Sequence, residues 1–191
     1  MPVRYVVCCW ALLWAGPAMA QFRPSFAHMT EIGVTMGRVK FGMAQTEVVS
    51  NRINLTAKSF NGIQLRPKLA VGGVVGIDWY NAALLMPVGA GLRYDLVRRP
   101  DRSFRLFTSL DAGYGLAWLH EDTGGNKTTG GLYVSPGIGL RIGRPRHGNF
   151  VLTMRYKRQE AGVDRALNGP YLYRREERTY NRLAFGLGIA L

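Results

Sequence analysis

Alternation of apolar and polar residues at period two runs through most of this chain, and it limits the possible folds more than any other feature. Over residues 104–119 the even positions read Phe104, Leu106, Thr108, Leu110, Ala112, Tyr114, Leu116 and Trp118. The odd positions read Arg105, Phe107, Ser109, Asp111, Gly113, Gly115, Ala117 and Leu119. The pattern recurs at 84–97, 132–143 and 182–191, and more weakly at 31–38, 48–60, 68–79 and 149–159. Successive side chains on a strand point to opposite faces, so each segment predicts a strand with one greasy and one polar face. That makes eight strands, most of them near the roughly 9–11 residues of a tilted membrane-crossing strand.

The connections alternate in character. Residues 61–67, 98–103 and 144–148 are short and rich in Gly, Pro, Asn, Asp and Arg, which predicts turns. Residues 39–47, 121–130 and 160–174 are longer and more polar, and 80–83 is brief. Short turns at one end, longer loops at the other and an even strand count match a membrane barrel with both termini at the short-turn end. Alternation alone also fits a soluble barrel or a sandwich, whose apolar side chains would point inward. The polar faces argue for the inverted arrangement, because they are crowded with glycine: Gly72, Gly76, Gly89, Gly91, Gly113, Gly115, Gly137, Gly139, Gly186 and Gly188. A narrow lumen needs small residues to make room for large ones, whereas a water-facing surface does not. The expected fold is therefore all-β, an eight-stranded antiparallel up-and-down transmembrane β-barrel. Trp79, Tyr80, Trp118, Tyr171 and Tyr173 fall at its long-loop end, and Tyr94, Phe104 and Phe150 towards the other, as an interfacial aromatic girdle would.

The first 20 of the 191 residues read as a cleaved signal peptide: Arg4, an apolar run from Val6 to Trp14, then Ala18-Met19-Ala20. The barrel domain is then 21–191. Both cysteines, Cys8 and Cys9, lie in that leader, so the mature chain offers no disulfide and no thiolate. The 25 Lys and Arg against 12 Asp and Glu give +13, which raises the question of a polyanionic partner. Nucleic acid is not expected, since the chain is exported and its basic residues are spread over turns and lumen. Alternation sends Glu31, Asp78, Arg93, Asp95, Arg105, Asp111, Arg141, Arg155, Arg178 and Arg182 inward, together with Arg52, Lys58 and Lys157. Such charges are expected to form a hydrogen-bonded network that plugs the lumen. Arg38, Lys40, Lys127, Arg158, Arg165, Arg174 and Arg175 lie on the long-loop side, suited to lipopolysaccharide phosphates. Arg98, Arg99, Arg102, Arg144 and Arg146 cluster at the short turns.

No phosphate-cradling glycine motif occurs, and His28, His120 and His147 lack the spacing of metal ligands. His120, Glu121 and Asp122 form the one cluster that a lipid-modifying barrel enzyme could use, with no serine beside them. No catalytic residue, metal or cofactor is expected.

The stretches Gly76-Ile77-Asp78-Trp79-Tyr80-Asn81, Leu92-Arg93-Tyr94-Asp95, Ala112-Gly113-Tyr114-Gly115 with Trp118, and Thr179-Tyr180-Asn181-Arg182-Leu183 resemble small outer-membrane β-barrel proteins of Gram-negative bacteria. In architecture the chain is similar to eight-stranded barrels of the OmpA/OmpX type, over essentially all of residues 21–191. The resemblance implies residence in the outer membrane, contact with its lipids, delivery by the barrel-insertion machinery and a monomeric state. It names no reaction, and leaves a structural or surface-interaction role, with a lipid-modifying enzyme or a soluble exported barrel binding a small apolar ligand as alternatives. Many such barrels end in an aromatic residue, and this chain ends in Leu191.

Overall fold

A strand with a greasy face and a polar face has two unpaired edges, and a sheet that closes on itself satisfies them all. The computed structural model describes residues 24–41, 48–80, 83–98, 104–117, 127–143, 148–167 and 172–191. These form β1 (Ser25–Phe41), β2 (Val48–Arg66), β3 (Leu69–Tyr80), β4 (Ala83–Arg98), β5 (Phe104–Ala117), β6 (Lys127–Thr129), β7 (Gly131–Ile142), β8 (Asn149–Leu167) and β9 (Leu172–Ala190). All ladders are antiparallel. The short β6 and β7 both pair with β8 and are two pieces of one stave interrupted at Gly130. β9 pairs with β8 on one side and β1 on the other, which closes an eight-stranded barrel.

The exterior is apolar. Ile32, Ile53, Leu55, Leu132 and Leu187 are each more than 60% exposed, while Glu31, Asp78, Arg93 and Asp111 are 1% exposed inside. This inversion excludes a soluble barrel, because so many bare aliphatic side chains are stable only against lipid. An inner apolar cluster of Met29, Phe60, Val74, Phe107 and Val151 fills part of the lumen as well.

Several strands outrun the sequence reading. Residues 160–174, expected as a loop, instead continue the β8–β9 ladder from Ala161↔Arg178 to Leu167↔Leu172. Residues 61–64, expected within a turn, pair with both β1 and β3. Beyond the hydrocarbon both faces of a hairpin meet water, so pairing continues where apolar alternation has stopped. Two prolines also sit within strands. The β3–β4 ladder skips from Val75↔Val88 to Asp78↔Leu85 around Pro87, and the β7–β8 ladder skips from Val134↔Arg158 to Gly137↔Arg155 beside Pro136. Neither proline has an N–H to give to its ladder.

Candidate functional site

The inward row of each strand brings charged residues from distant parts of the chain into one lumen. Among the described residues, all four inward carboxylates meet a cation. Asp111 on β5 accepts from Lys58 Nζ on β2 at 2.6 Å and from Arg93 on β4 at 2.5 Å. Glu31 on β1 pairs with Arg155 on β8, and the Thr153 hydroxyl donates to the same carboxylate at 2.8 Å. Asp78 on β3 pairs across the lumen with Lys157 on β8 and accepts from the Thr56 hydroxyl at 2.7 Å. Nearer the end where the termini lie, Arg141 reaches Asp95 at a longer 3.5 Å. Few of these ties link neighbouring strands, so they brace the barrel across its width.

Aromatic rings carry the cations. The Arg93 guanidinium lies 4.5 Å from the centre of the Phe60 ring and that of Arg141 4.6 Å from Phe107. Lys157 Nζ stands 5.2 Å from Tyr133, and Arg182 lies 5.2 Å from Tyr180. Sequence reasoning gave these rings no role, although Phe60, Phe107 and Tyr133 were visible as aromatic residues on the polar parity. A flat guanidinium on a ring keeps its in-plane donors free for carboxylates.

The glycines divide into two groups. A Cβ on Gly139 would meet Phe107 Cζ at 2.5 Å, one on Gly186 would meet Glu31 at 2.9 Å, and one on Gly91 would meet Asp111 at 2.8 Å. These positions leave room for the network. At Gly33, Gly62 and Gly89 the added carbon would instead strike a carbonyl of the adjacent strand, so close strand approach is what requires glycine there.

Two cavities interrupt the packing. A void of about 30 Å³ sits mid-lumen, lined by Lys58, Asp78, Asp111, Tyr133, Arg155 and Lys157. A cavity of about 490 Å³ opens at the end where Ser25 and Leu191 lie, with Lys68, Arg93, Asp95, Arg105 and Arg141 in its wall.

Other sequence-derived candidates are dispersed. Arg105 lines the large cavity, and no ion pair reaches it among the described residues. Arg178 is placed on β9 opposite Ala161, and Arg182 is buried inside. Trp79 is 52% exposed on the outer face beside Ile53 and Leu55. Tyr80 ends β3 and Tyr173 stands on β9 opposite Ala166, while Trp118 and Tyr171 lie outside the described residues. Arg38 and Lys40 fall on the final residues of β1. Lys127 and Arg175 both have Asp164 as backbone partner, and Arg165 stands opposite Arg174. Arg158 is exposed, 3.9 Å from Glu160. Residues 1–20 and the His120, Glu121, Asp122 cluster also lie outside the described residues. His28 is engaged by Asn61 at 2.6 Å and Thr30 at 2.9 Å.

No family model and no curated protein matches this sequence. Solved structures do. The fold is similar to the crystal structure of Neisserial surface protein A, with a TM-score of 0.58 and 9% identity over 89% of this chain and 99% of that one. It is also similar to the solid-state NMR structure of the outer membrane protein AlkL in lipid bilayers, with a TM-score of 0.55 and 12% identity over 92% and 93%. At these identities the likeness is one of fold. By fold the chain is an outer-membrane β-barrel, and its apolar exterior fits that location.

Proposed function

We propose that this chain is a plugged outer-membrane scaffold with a structural or surface-interaction role and no enzymatic activity. The observation that carries this is the set of ties across the lumen: Lys58 and Arg93 to Asp111, Arg155 to Glu31, and Lys157 to Asp78. Between them only about 30 Å³ of free space remains, enough for little more than a water molecule. Eight strands leave an interior that side chains can fill, and here they fill it with charges that would be costly to separate. In planar bilayers the purified protein should therefore show no large, stable conductance. Frequent porin-like steps would overturn the plug.

The end bearing the termini faces the periplasm in this reading, as the fold's short turns imply. The opposite end carries Arg38, Lys40, Lys127, Arg158, Arg165, Arg174 and Arg175 where β1, β6, β8 and β9 run on. This distribution supports contact with lipopolysaccharide phosphates, which guanidinium groups bind well. The double variant R174Q/R175Q should be retained several-fold less on immobilised lipopolysaccharide than the parent. Equal retention would remove that end as a binding surface. Outer-membrane lipids and the insertion machinery complete the expected partners, with the barrel acting as a monomer.

A further inference from the structure

We propose that the 490 Å³ cavity at the terminal end is a binding site for a phosphate-bearing anion. Four cationic side chains line it, Lys68, Arg93, Arg105 and Arg141, and Asp95 is the one carboxylate side chain in its wall. The protein's own carboxylates do not neutralise this excess. Asp95 is met by Arg141 at 3.5 Å, well beyond the roughly 2.7–2.9 Å of a charge-assisted hydrogen bond. Asp111, behind Arg93, is shared with Lys58. Lys68 and Arg105 make no ion pair among the described residues.

Donors are spare as well as charge. Arg93 is 1% exposed, and its Nε and Nη2 have no hydrogen-bond partner. Arg141 Nε is likewise buried without one. Unsatisfied donors on a buried cation are costly, and an oxyanion in the cavity is the group that would relieve them. Phe60 and Phe107 hold the two guanidiniums flat at 4.5 and 4.6 Å, so little side-chain freedom remains to be lost on binding.

The chemistry favours phosphate over a simple carboxylate. Guanidinium forks match pairs of phosphate oxygens, and an excess of three positive charges suits a dianion better than a monoanion. The cavity is also larger than phosphate alone requires and has apolar walls at Met29, Ala70 and Ala190, which leaves space for a small organic group. The phosphate could belong to a soluble phosphomonoester or to a lipid headgroup of the adjacent leaflet.

The test uses the full-length chain, folded in uncharged maltoside micelles, with the Nε–H signals of its arginines followed by NMR. Glycerol 3-phosphate, short-chain phosphatidic acid and sodium chloride are titrated separately. Saturable shifts of the Arg93, Arg105 and Arg141 signals with glycerol 3-phosphate would support a soluble phosphomonoester. Saturation with phosphatidic acid alone would support the headgroup. Shifts that never saturate, or that chloride reproduces at equal concentration, would overturn the site. The variant K68Q/R105Q removes two cations that make no ion pair in the barrel, so folding should be kept. It should weaken the phosphate affinity about tenfold or more, the effect of losing hydrogen bonds from charged donors. Unchanged affinity in the folded variant would overturn the assignment. If that variant fails to fold, K68Q alone serves, with a smaller weakening expected and unchanged affinity again counting against the site.

Discussion

Asp111→Asn is expected to be the most damaging single substitution of a lumen carboxylate, lowering stability by about 3–5 kcal/mol. Asp111 is 1% exposed and receives both Lys58 and Arg93, so the amide would leave two cations without a countercharge. Asp95→Asn should cost far less, about 0–1 kcal/mol, because Arg141 is 18% exposed at the open cavity and only 3.5 Å contact is lost. Urea unfolding in phosphatidylcholine vesicles, read by heat-modifiable gel mobility, would compare the two. Removing Lys58 as well should then hurt less than expected from the single variants, since its partner has already gone. Equal, small losses for both carboxylates would mean that water screens the lumen and that the ties do not brace it.

The sequence made the two faces of each strand legible because a membrane barrel reverses the usual arrangement. Leu183, Phe185, Leu187 and Ile189 form an unbroken greasy row, while Arg182, Ala184, Gly186 and Gly188 form the inward one, and both rows stand as read. Strand ends were not legible for a physical reason. Ala161 to Leu167 and their β9 partners are paired outside the greasy belt, where no periodic signal is required.

The pairing of charges was also hidden. Glu31 meets Arg155, 124 positions away, only because β9 separates β1 from β8 in the closed sheet. Inward parity can be read along one strand, but which cation reaches which carboxylate depends on register and stagger around the whole barrel. The same limit applies to the large cavity. Lys68, Arg93, Arg105 and Arg141 come from three strands and a turn, and no spacing in the chain brings them together.

Ile32→Arg should separate a lipid-facing surface from a water-facing one more sharply than any change inside the barrel. Ile32 is 68% exposed, lies in the middle of β1's outer row between Phe26 and Met36, and stands opposite Leu187, itself 63% exposed. Against hydrocarbon an arginine at this depth costs about 2–4 kcal/mol, falling to about 0–1 near the interface. Phe150→Arg is the matched control, because Phe150 is 72% exposed but lies one residue into β8, at the terminal end. The expected result is a clear drop in the inserted, heat-modifiable fraction for Ile32→Arg and a small one for Phe150→Arg. If water covered this face, an arginine on either exposed position would change stability by about 0.5 kcal/mol or less. A depth-dependent loss has no counterpart in that case, so indifference at Ile32 would count directly against the membrane-spanning barrel.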